Sequence, residues 1–479
     1  MKKTGAQVLC EGLIHHGVEK IFGIPGGAIL PLYGTLSEYP ELDHILVRHE
    51  QGASHAADGF SRITGKTGVC FATSGPGATN LITGMATAMM DSSPMIAITG
   101  QVSRPGIGKD SFQEIDITGA SLPVTKHNYL VMNADEIPRV LKEAFIIANT
   151  GRPGPVLIDI PRDVFTEEFD FDNKFWDEEI KILGYNPPKF ADNPKIDKAL
   201  KLIEESKKPV ILAGHGIIIS KAYDELLELA ESAQIPVITT LLGISSFPEN
   251  HVLSLSFPGM HGVAWASLAL DQADLVIAIG SRFDDRITGD TSRFATRSKK
   301  IHIDIDPAEI NKNIEVDVAL IGNAKDILKQ MLPKLKRKTH IDWLSHIEKL
   351  KEDHPSLKLK KSSDLTGQYV IKSLSDETEG KSVIVTGVGQ HQMWAAQHYS
   401  YCSQNSWISS GGLGTMGFEV PAALGAKVGA PDKNVWSIAG DGGFQMTLCE
   451  LATIVENNIK VKFALLNNNH LGMITQWQG

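Results

Sequence analysis

The residues whose types and spacing best suit chemistry lie near the C-terminus. An apolar run, Val435-Trp436-Ser437-Ile438-Ala439, leads into Gly440-Asp441-Gly442-Gly443, and a second run, 461–466, ends in Asn467-Asn468-Asn469. Between them, segment 444–456 has the composition of a helix. Two parallel strands joined by one helix put Asp441 and Asn468, 27 residues apart, at the same carboxyl edge of a sheet, where α/β proteins bind ligands. The glycines let a phosphate approach the backbone, and the N-terminus of the intervening helix favours an anion. One carboxylate and one amide oxygen, completed by phosphate oxygens and water, form the partial cage that Mg²⁺ takes on a diphosphate. Each half has an ordinary alternative, a helix-capping Asp or an Asn-rich turn. Their pairing in a strand–helix–strand frame favours the metal–diphosphate reading.

The elements that would position this pair recur along the chain. Strand-like apolar runs fall at 43–47, 68–73, 94–99, 155–160, 209–213, 275–279, 300–305, 382–386, 434–439 and 461–466, separated by helix-length segments. Strands apolar almost throughout are buried on both faces, which requires parallel sheets flanked by helices. The expected fold class is α/β of the doubly wound type. Two stretches break the alternation: 167–193 is acidic, aromatic and Pro-containing, and 334–363 is dense in Lys and Glu. Both read as connectors, the second with helix inside. They cut the chain into pieces of 1–170, 190–330 and 364–479, in keeping with 479 residues at roughly 150 per domain.

Composition narrows the classes further. Hydrophobic residues at 42% and charged residues at 21% describe a folding chain rather than a disordered one. A formal net charge of −10 without a long basic run argues against a nucleic-acid surface. No stretch reaches the roughly 18 apolar residues of a spanning helix, and the first residues lack the apolar region and cleavage site of a signal peptide. Cys10, Cys70, Cys402 and Cys449 are scattered, with no CxxC, so a reducing, cytoplasmic compartment is expected. The Gly214-His215-Gly216 motif after the run 209–213 could approach a nucleotide, although a short glycine motif by itself is usually a turn.

A Gly-Asp-Gly followed some two dozen or more residues later by Asn-Asn resembles the thiamine diphosphate motif. The likeness extends along nearly the whole chain. Phe22-Gly23-Ile24-Pro25-Gly26-Gly27-Ala28, Arg48-His49-Glu50-Gln51-Gly52-Ala53, Thr73-Ser74-Gly75-Pro76-Gly77 and Phe112-Gln113-Glu114 carry it in the first third. Gly387-Val388-Gly389-Gln390-His391-Gln392-Met393-Trp394, Gly411-Gly412-Leu413-Gly414-Thr415-Met416-Gly417 and Gly472-Met473-Ile474-Thr475-Gln476-Trp477 carry it in the last. Together these segments resemble the large, catalytic subunit of acetolactate synthase. The resemblance implies three domains of the thiamine diphosphate-binding type: a pyrimidine-binding domain over 1–170, an FAD-associated domain over 190–330 and a diphosphate- and Mg²⁺-binding domain over 364–479.

It also implies roles for single residues. Glu50 follows a strand-like run and opens a segment of small residues; by itself it would pass for an acidic first-turn residue favoured by the helix dipole. The resemblance assigns it to N1′ of the cofactor aminopyrimidine, a task helped by desolvation, which favours the neutral carboxyl. Met416 would support a bent cofactor, bringing the pyrimidine amino group beside the reactive carbon, with Gly414 in the same turn. Val388, Gly389, Gln390, His391, Gly442 and Gly443 would touch the diphosphate. Asp441, Asn468 and the main-chain carbonyl of His470 would hold Mg²⁺. Arg152, His261, Arg282, Asp304 and Asn323 lie in segments that resemble FAD contacts. Gly27, Phe112 and Gln113 would line the reaction chamber, Arg286 would pair with a ketoacid carboxylate, and Trp477 would shape a pocket for one extra methylene.

The implied reaction decarboxylates pyruvate and joins the two-carbon unit to a second 2-ketoacid, giving 2-acetolactate or, with 2-ketobutyrate, 2-aceto-2-hydroxybutyrate for branched-chain amino acid synthesis. The implied assembly is a homodimer or tetramer in which Glu50 of one copy faces Asp441 of another, with a regulatory small subunit as a further partner and no membrane or nucleic acid. Gly479 falls two residues after Trp477, whereas members of that family continue well beyond, so a C-terminally short last domain is expected. Two other readings stay open: a flavin-coupled pyruvate oxidase, and a shortened relative that binds without catalysing.

Overall fold

A computed structural model describes residues 1–188, 190–359, 362 and 364–478. Ser363 and Gly479, the edges of the expected second connector and last domain, lie outside the described residues, as does Lys189 in the first connector. The chain divides into two compact units, one of Met1–Tyr185, Val385–Gly389 and Ile408–Gly479, the other of Asn186–Ile384 and Gln390–Trp407.

The first unit is built on a six-stranded sheet in the order Asp43–Leu46, Lys20–Gly23, Gly68–Ala72, Met95–Gln101, Pro155–Pro161 and His127–Leu130, with every adjacent pair parallel. The three strands between Lys20–Gly23 and His127–Leu130 are buried along their whole length, as uninterrupted apolar runs require when helices cover both faces. Further along the chain, Val435–Gly440 and Lys462–Leu466 pair in parallel, Gly440 opposite Leu466, within a four-stranded sheet that also contains Val383–Thr386 and Trp407–Ser409.

The helix Glu50–Thr64 lies on the helix Glu419–Gly429 with backbone against backbone. A Cβ on Gly59 would come within 2.1 Å of the Ala422 carbonyl oxygen, and one on Gly425 within 1.8 Å of the Ala56 oxygen. The small residues noticed in the sequence after Glu50 therefore serve close helix packing.

The second unit is a five-stranded parallel sheet in the order Val237–Thr239, Pro209–Ala213, Leu275–Ile279, Lys299–Asp304 and Val318–Ile321. Its two apolar layers contain Ile211, Ile277 and Ile303 on one side and Val210, Val276 and Ala278 on the other. The fold class is thus the expected α/β with parallel sheets.

Two local expectations need correction. Segment 444–456 is two helices, Asp441–Thr447 and Glu450–Glu456, and the first begins at the Asp itself. The first connector is partly structured: Glu168–Asp170 pairs antiparallel with Lys2–Thr4, and Trp176 is buried against Phe171 and Phe175, because its aromatics give it apolar surface to bury. The second connector does contain a helix, Ile341–Asp353, seated through Trp343, Ile347 and Leu350. Among the described residues seven strands escaped the sequence reading, each three or four residues long and too short for a periodic signal: Lys2–Thr4, Lys20–Gly23, His127–Leu130, Glu168–Asp170, Val237–Thr239, Val318–Ile321 and Trp407–Ser409.

Candidate active site

Glu50 is the first residue of its helix, after His49, whose ring nitrogen accepts a hydrogen bond from the Gln51 amide. The turn that delivers it is held from far along the chain. Glu450, itself buried, accepts hydrogen bonds from the backbone amides of Arg48 and His49 at 3.0 Å and from the Thr453 hydroxyl at 2.7 Å. Burial pushes the Glu450 carboxyl up, and the Thr453 hydrogen bond and the two amides pull the other way. A Cβ on Gly52 would meet Glu450 Oε1 at 2.3 Å, so glycine there lets the acid reach the turn.

The Glu50 side chain is half-buried and accepts one hydrogen bond, from Asn80 Nδ2 at 2.9 Å. The segment 73–80 also touches two other expected segments, the Gly27 turn and Gln113. Thr73 Oγ1 accepts from the Ala28 amide at 3.2 Å and fixes the turn that contains the exposed Gly27. A Cβ on Gly77 would lie 3.3 Å from Glu50 Oε1, and one on Gly75 would lie 2.8 Å from the Gln113 carbonyl oxygen. Gln113 adopts φ +60° and Phe112 is 89% exposed, so the aromatic ring stands free of the core.

The loop behind Gln113 is tied down by carboxylates. Glu114 accepts from the amides of Gly108 and Ser111, and these bonds hold its carboxyl below the usual range. Asp159 accepts from Thr99 Oγ1 at 2.6 Å and Gln101 Nε2 at 2.9 Å, and that Gln101 amide also donates to the Ile115 carbonyl. Burial pushes Asp159 up to about 7 against those two hydrogen bonds.

At the other sheet, the parallel register that sets Gly440 opposite Leu466 brings Asp441 and the Asn467-Asn468-Asn469 turn to one carboxyl edge, as expected. Asn468 Oδ1 accepts from the His470 amide at 3.0 Å, and Asn469 turns the chain with φ +56°. Gly442 sits beneath this turn, its missing Cβ 2.7 Å from Leu471 Cδ2 and 3.8 Å from Met416 Cε. The Met416 turn is pinned by Thr447 Oγ1 donating to the Gly417 carbonyl at 2.7 Å and by Thr87 bonding Thr415 at 2.8 Å. Val388 Cγ1 lies 4.0 Å from the Cβ position of Gly414. Trp477 is 65% exposed on the helix Gly472–Gln478. Arg152 donates to Ser92 Oγ and the Met90 carbonyl.

In the second unit three of the expected residues share the carboxyl edge of one sheet. Arg282 follows Leu275–Ile279, Asp304 ends Lys299–Asp304 and Asn323 follows Val318–Ile321, in the order of the strands. The Asp304 carboxylate accepts from the Asp306 amide, and Asn323 Oδ1 caps the helix Ala324–Met331. His261 lies in a turn whose Met260 amide donates to the Arg286 carbonyl, and burial, then Arg286, lowers its pKa. The exposed Arg286 side chain lies 3.6 Å from Asp285. Gln390 and His391 open the helix Gln390–His398.

Spacing gave no warning of Asn80 or Glu450, which act through the fold; Asn80 in Pro76-Gly77-Ala78-Thr79-Asn80 reads as an ordinary turn residue. Glu419 had a faint signal, as a single acid inside the apolar run from Phe418 to Ala423.

Asp441 and the Asn467-Asn468-Asn469 turn thus share one sheet edge, and Glu50 opens its helix as a half-buried acid. Three segments match domains of thiamine pyrophosphate enzymes: the N-terminal TPP binding domain over residues 3–120, the central domain over 196–331 and the C-terminal TPP binding domain over 387–479. The chain is a thiamine diphosphate-dependent enzyme.

It is 50% identical to the acetolactate synthase large subunit of Corynebacterium glutamicum, across 100% of this chain and 77% of that one. It is 50% identical to the acetolactate synthase of Mycobacterium bovis, over 99% of this chain and 78% of its counterpart. With the acetolactate synthase large subunit of Buchnera aphidicola the identity is 45%, over 99% and 84%. The chain belongs to the acetolactate synthase family and is an enzyme of that type. Among the described residues no helix is long and apolar enough to cross a membrane.

Proposed function

We propose that this chain converts pyruvate and a second 2-ketoacid to 2-acetolactate or 2-aceto-2-hydroxybutyrate with the residues assembled above, and that its three segments divide the labour: 1–170 holds the pyrimidine, 190–330 holds FAD and 364–479 holds the diphosphate and Mg²⁺. The observation that carries the reading is the half-buried Glu50 carboxylate with a single neutral donor, Asn80. With no cation bonded to it among the described residues, the acid would be free to exchange a proton with a ring nitrogen.

The residues suit the cofactor. Gly442 lets the Leu471 side chain and Met416 approach its backbone, and Asp441, Asn468 and the His470 carbonyl would supply the oxygen ligands that Mg²⁺ takes together with phosphate. When bound, thiamine diphosphate supplies a thiazolium that accepts the electron pair released as pyruvate loses CO₂. Glu50 holds the proton at N1′, Asn80 orients its carboxylate, and Met416 keeps the pyrimidine close to the reacting carbon. Phe112, Gln113 and Gly27 line the chamber and exclude water. Arg286 receives a ketoacid carboxylate, and Trp477 sets the preference for 2-ketobutyrate.

FAD would lie along the second unit's edge at Arg282, Asp304 and Asn323, with His261 as a further contact. The cofactor-binding role extends to Val388, Gly389, Gln390, His391, Gly414 and Gly443. We take the working form to be a homodimer or larger, with each site drawing Glu50 from one copy and Asp441 from another, and a regulatory small subunit as an added partner, consistent with relatives named as large subunits.

The test is mass-resolved product analysis with pyruvate, 2-ketobutyrate, Mg²⁺ and thiamine diphosphate, with and without FAD. The two acetohydroxyacids are the expected products. Acetate with bleaching of the flavin would replace this reading by an oxidase.

A further inference from the structure

One buried acid has no place in the roles above. Glu419 opens the helix Glu419–Gly429, is 0% exposed, and has no hydrogen-bond partner for either carboxylate oxygen among the described residues. Its head lies where two glycines would otherwise carry side chains. A Cβ on Gly387 would come within 2.0 Å of Glu419 Oε2, and one on Gly443 within 2.7 Å of Oε1. The Gly443 position is also 3.5 Å from the Gly417 amide nitrogen. Neither Gly387 nor Gly443 has a positive φ, so backbone conformation does not demand glycine there. The carboxyl does.

We propose that Glu419 is a positioning residue for the cofactor anchor, its carboxyl setting the separation of the Gly387, Gly417 and Gly443 turns. This rests on the reading of those turns as the diphosphate cradle. A buried carboxylate without a compensating partner is costly; burial pushes the group up to about 7, so below that pH it is carried as the neutral acid. In that form it puts no negative charge beneath an anionic diphosphate. Its part is spacing, and Glu50 keeps the proton transfer.

The experiment measures the Kd of Mg²⁺-thiamine diphosphate by calorimetry, with KM for pyruvate alongside, in the wild type, E419Q, E419A, G387A and the double variant G387A/E419A. E419Q, of the same shape and neutral, is expected to bind as the wild type does. E419A is expected to weaken cofactor binding about tenfold, as the turns relax into the space the carboxyl filled, and to leave KM unchanged. G387A is expected to weaken binding too, and the double variant to bind more tightly than G387A, because removing the carboxyl frees the space of the added methyl.

A second readout is thermal. A carboxyl raised to about 7 in the fold costs stability progressively as pH climbs from its unfolded value towards 7, so E419Q should have a higher Tm than the wild type at pH 8 and a much smaller advantage at pH 5. Binding by E419A equal to wild type, a double variant no better than G387A, or an E419Q advantage independent of pH would each overturn the inference. If E419A does not fold, the pH-dependent Tm of E419Q decides. A wild-type chain that binds no cofactor would instead overturn the reading of the turns as a diphosphate cradle.

Discussion

Both units carry glycines at the carboxyl edge of a parallel sheet, yet for different reasons. In the second unit, a Cβ on Gly214 would come within 2.1 Å of the Gly280 carbonyl oxygen and one on Gly216 within 2.6 Å of Gly280 Cα. There, glycine serves one backbone passing another. In the first unit, Gly52, Gly387 and Gly443 make room for carboxyl groups of Glu450 and Glu419, and Gly77 packs against Thr73 with Glu50 nearby. Glycine there serves acids brought close to turns. A glycine-rich edge is thus a place of close approach, and what approaches distinguishes a structural turn from a chemical site.

The sharpest test of this contrast is Glu50→Gln. Losing the exchangeable proton at the first edge should lower kcat on the order of a thousandfold, with the calorimetric Kd for thiamine diphosphate little changed. Retention of half the activity would remove Glu50 from the chemistry.

The second edge should answer in stability. Glu249, in the turn after Val237–Thr239, accepts a hydrogen bond from the Tyr401 amide at 3.1 Å, and burial pushes it up to about 8 against that bond. A raised carboxyl contributes stability that is whole below its unfolded value and is lost as pH rises towards 8. Glu249→Gln should abolish a pH-dependent loss of about 3 kcal/mol between pH 5 and 8, read by denaturant unfolding, with turnover unaltered per folded molecule. Gly216→Ala should cost about 2 kcal/mol, the usual scale of an overpacked site, and leave the thiamine diphosphate Kd where it was. A selective loss of that Kd would erase the distinction between the two edges. Smallest is Asn80→Ala, which removes the one hydrogen bond to Glu50 and should lower kcat about tenfold without moving the unfolding midpoint.

Much of this was legible in the chain itself. The buried strands announced themselves as unbroken apolar runs, and the pairing of Asp441 with Asn468 followed from two such runs and the helical stretch between them. The break of that stretch at Leu448–Cys449 was not legible, because its residues are all compatible with continuous helix and tertiary packing chose otherwise. The short strands at Lys20–Gly23 and Val237–Thr239 were missed because three or four residues carry no periodicity.

The sequence by itself determined the fold class and the sheet edge shared by Asp441 and Asn468, since short-range patterns of apolar residues and turn formers fix where strands end; Glu50 was singled out by the resemblance of its segment to a known family. Only the tertiary structure decided that Glu450 would grip the amides ahead of Glu50 from 401 residues away, that Asn80 would orient the acid, and that Glu419 would sit between Gly387 and Gly443. A buried polar group takes whichever partner packing delivers, and the distance along the chain between such partners leaves no local trace.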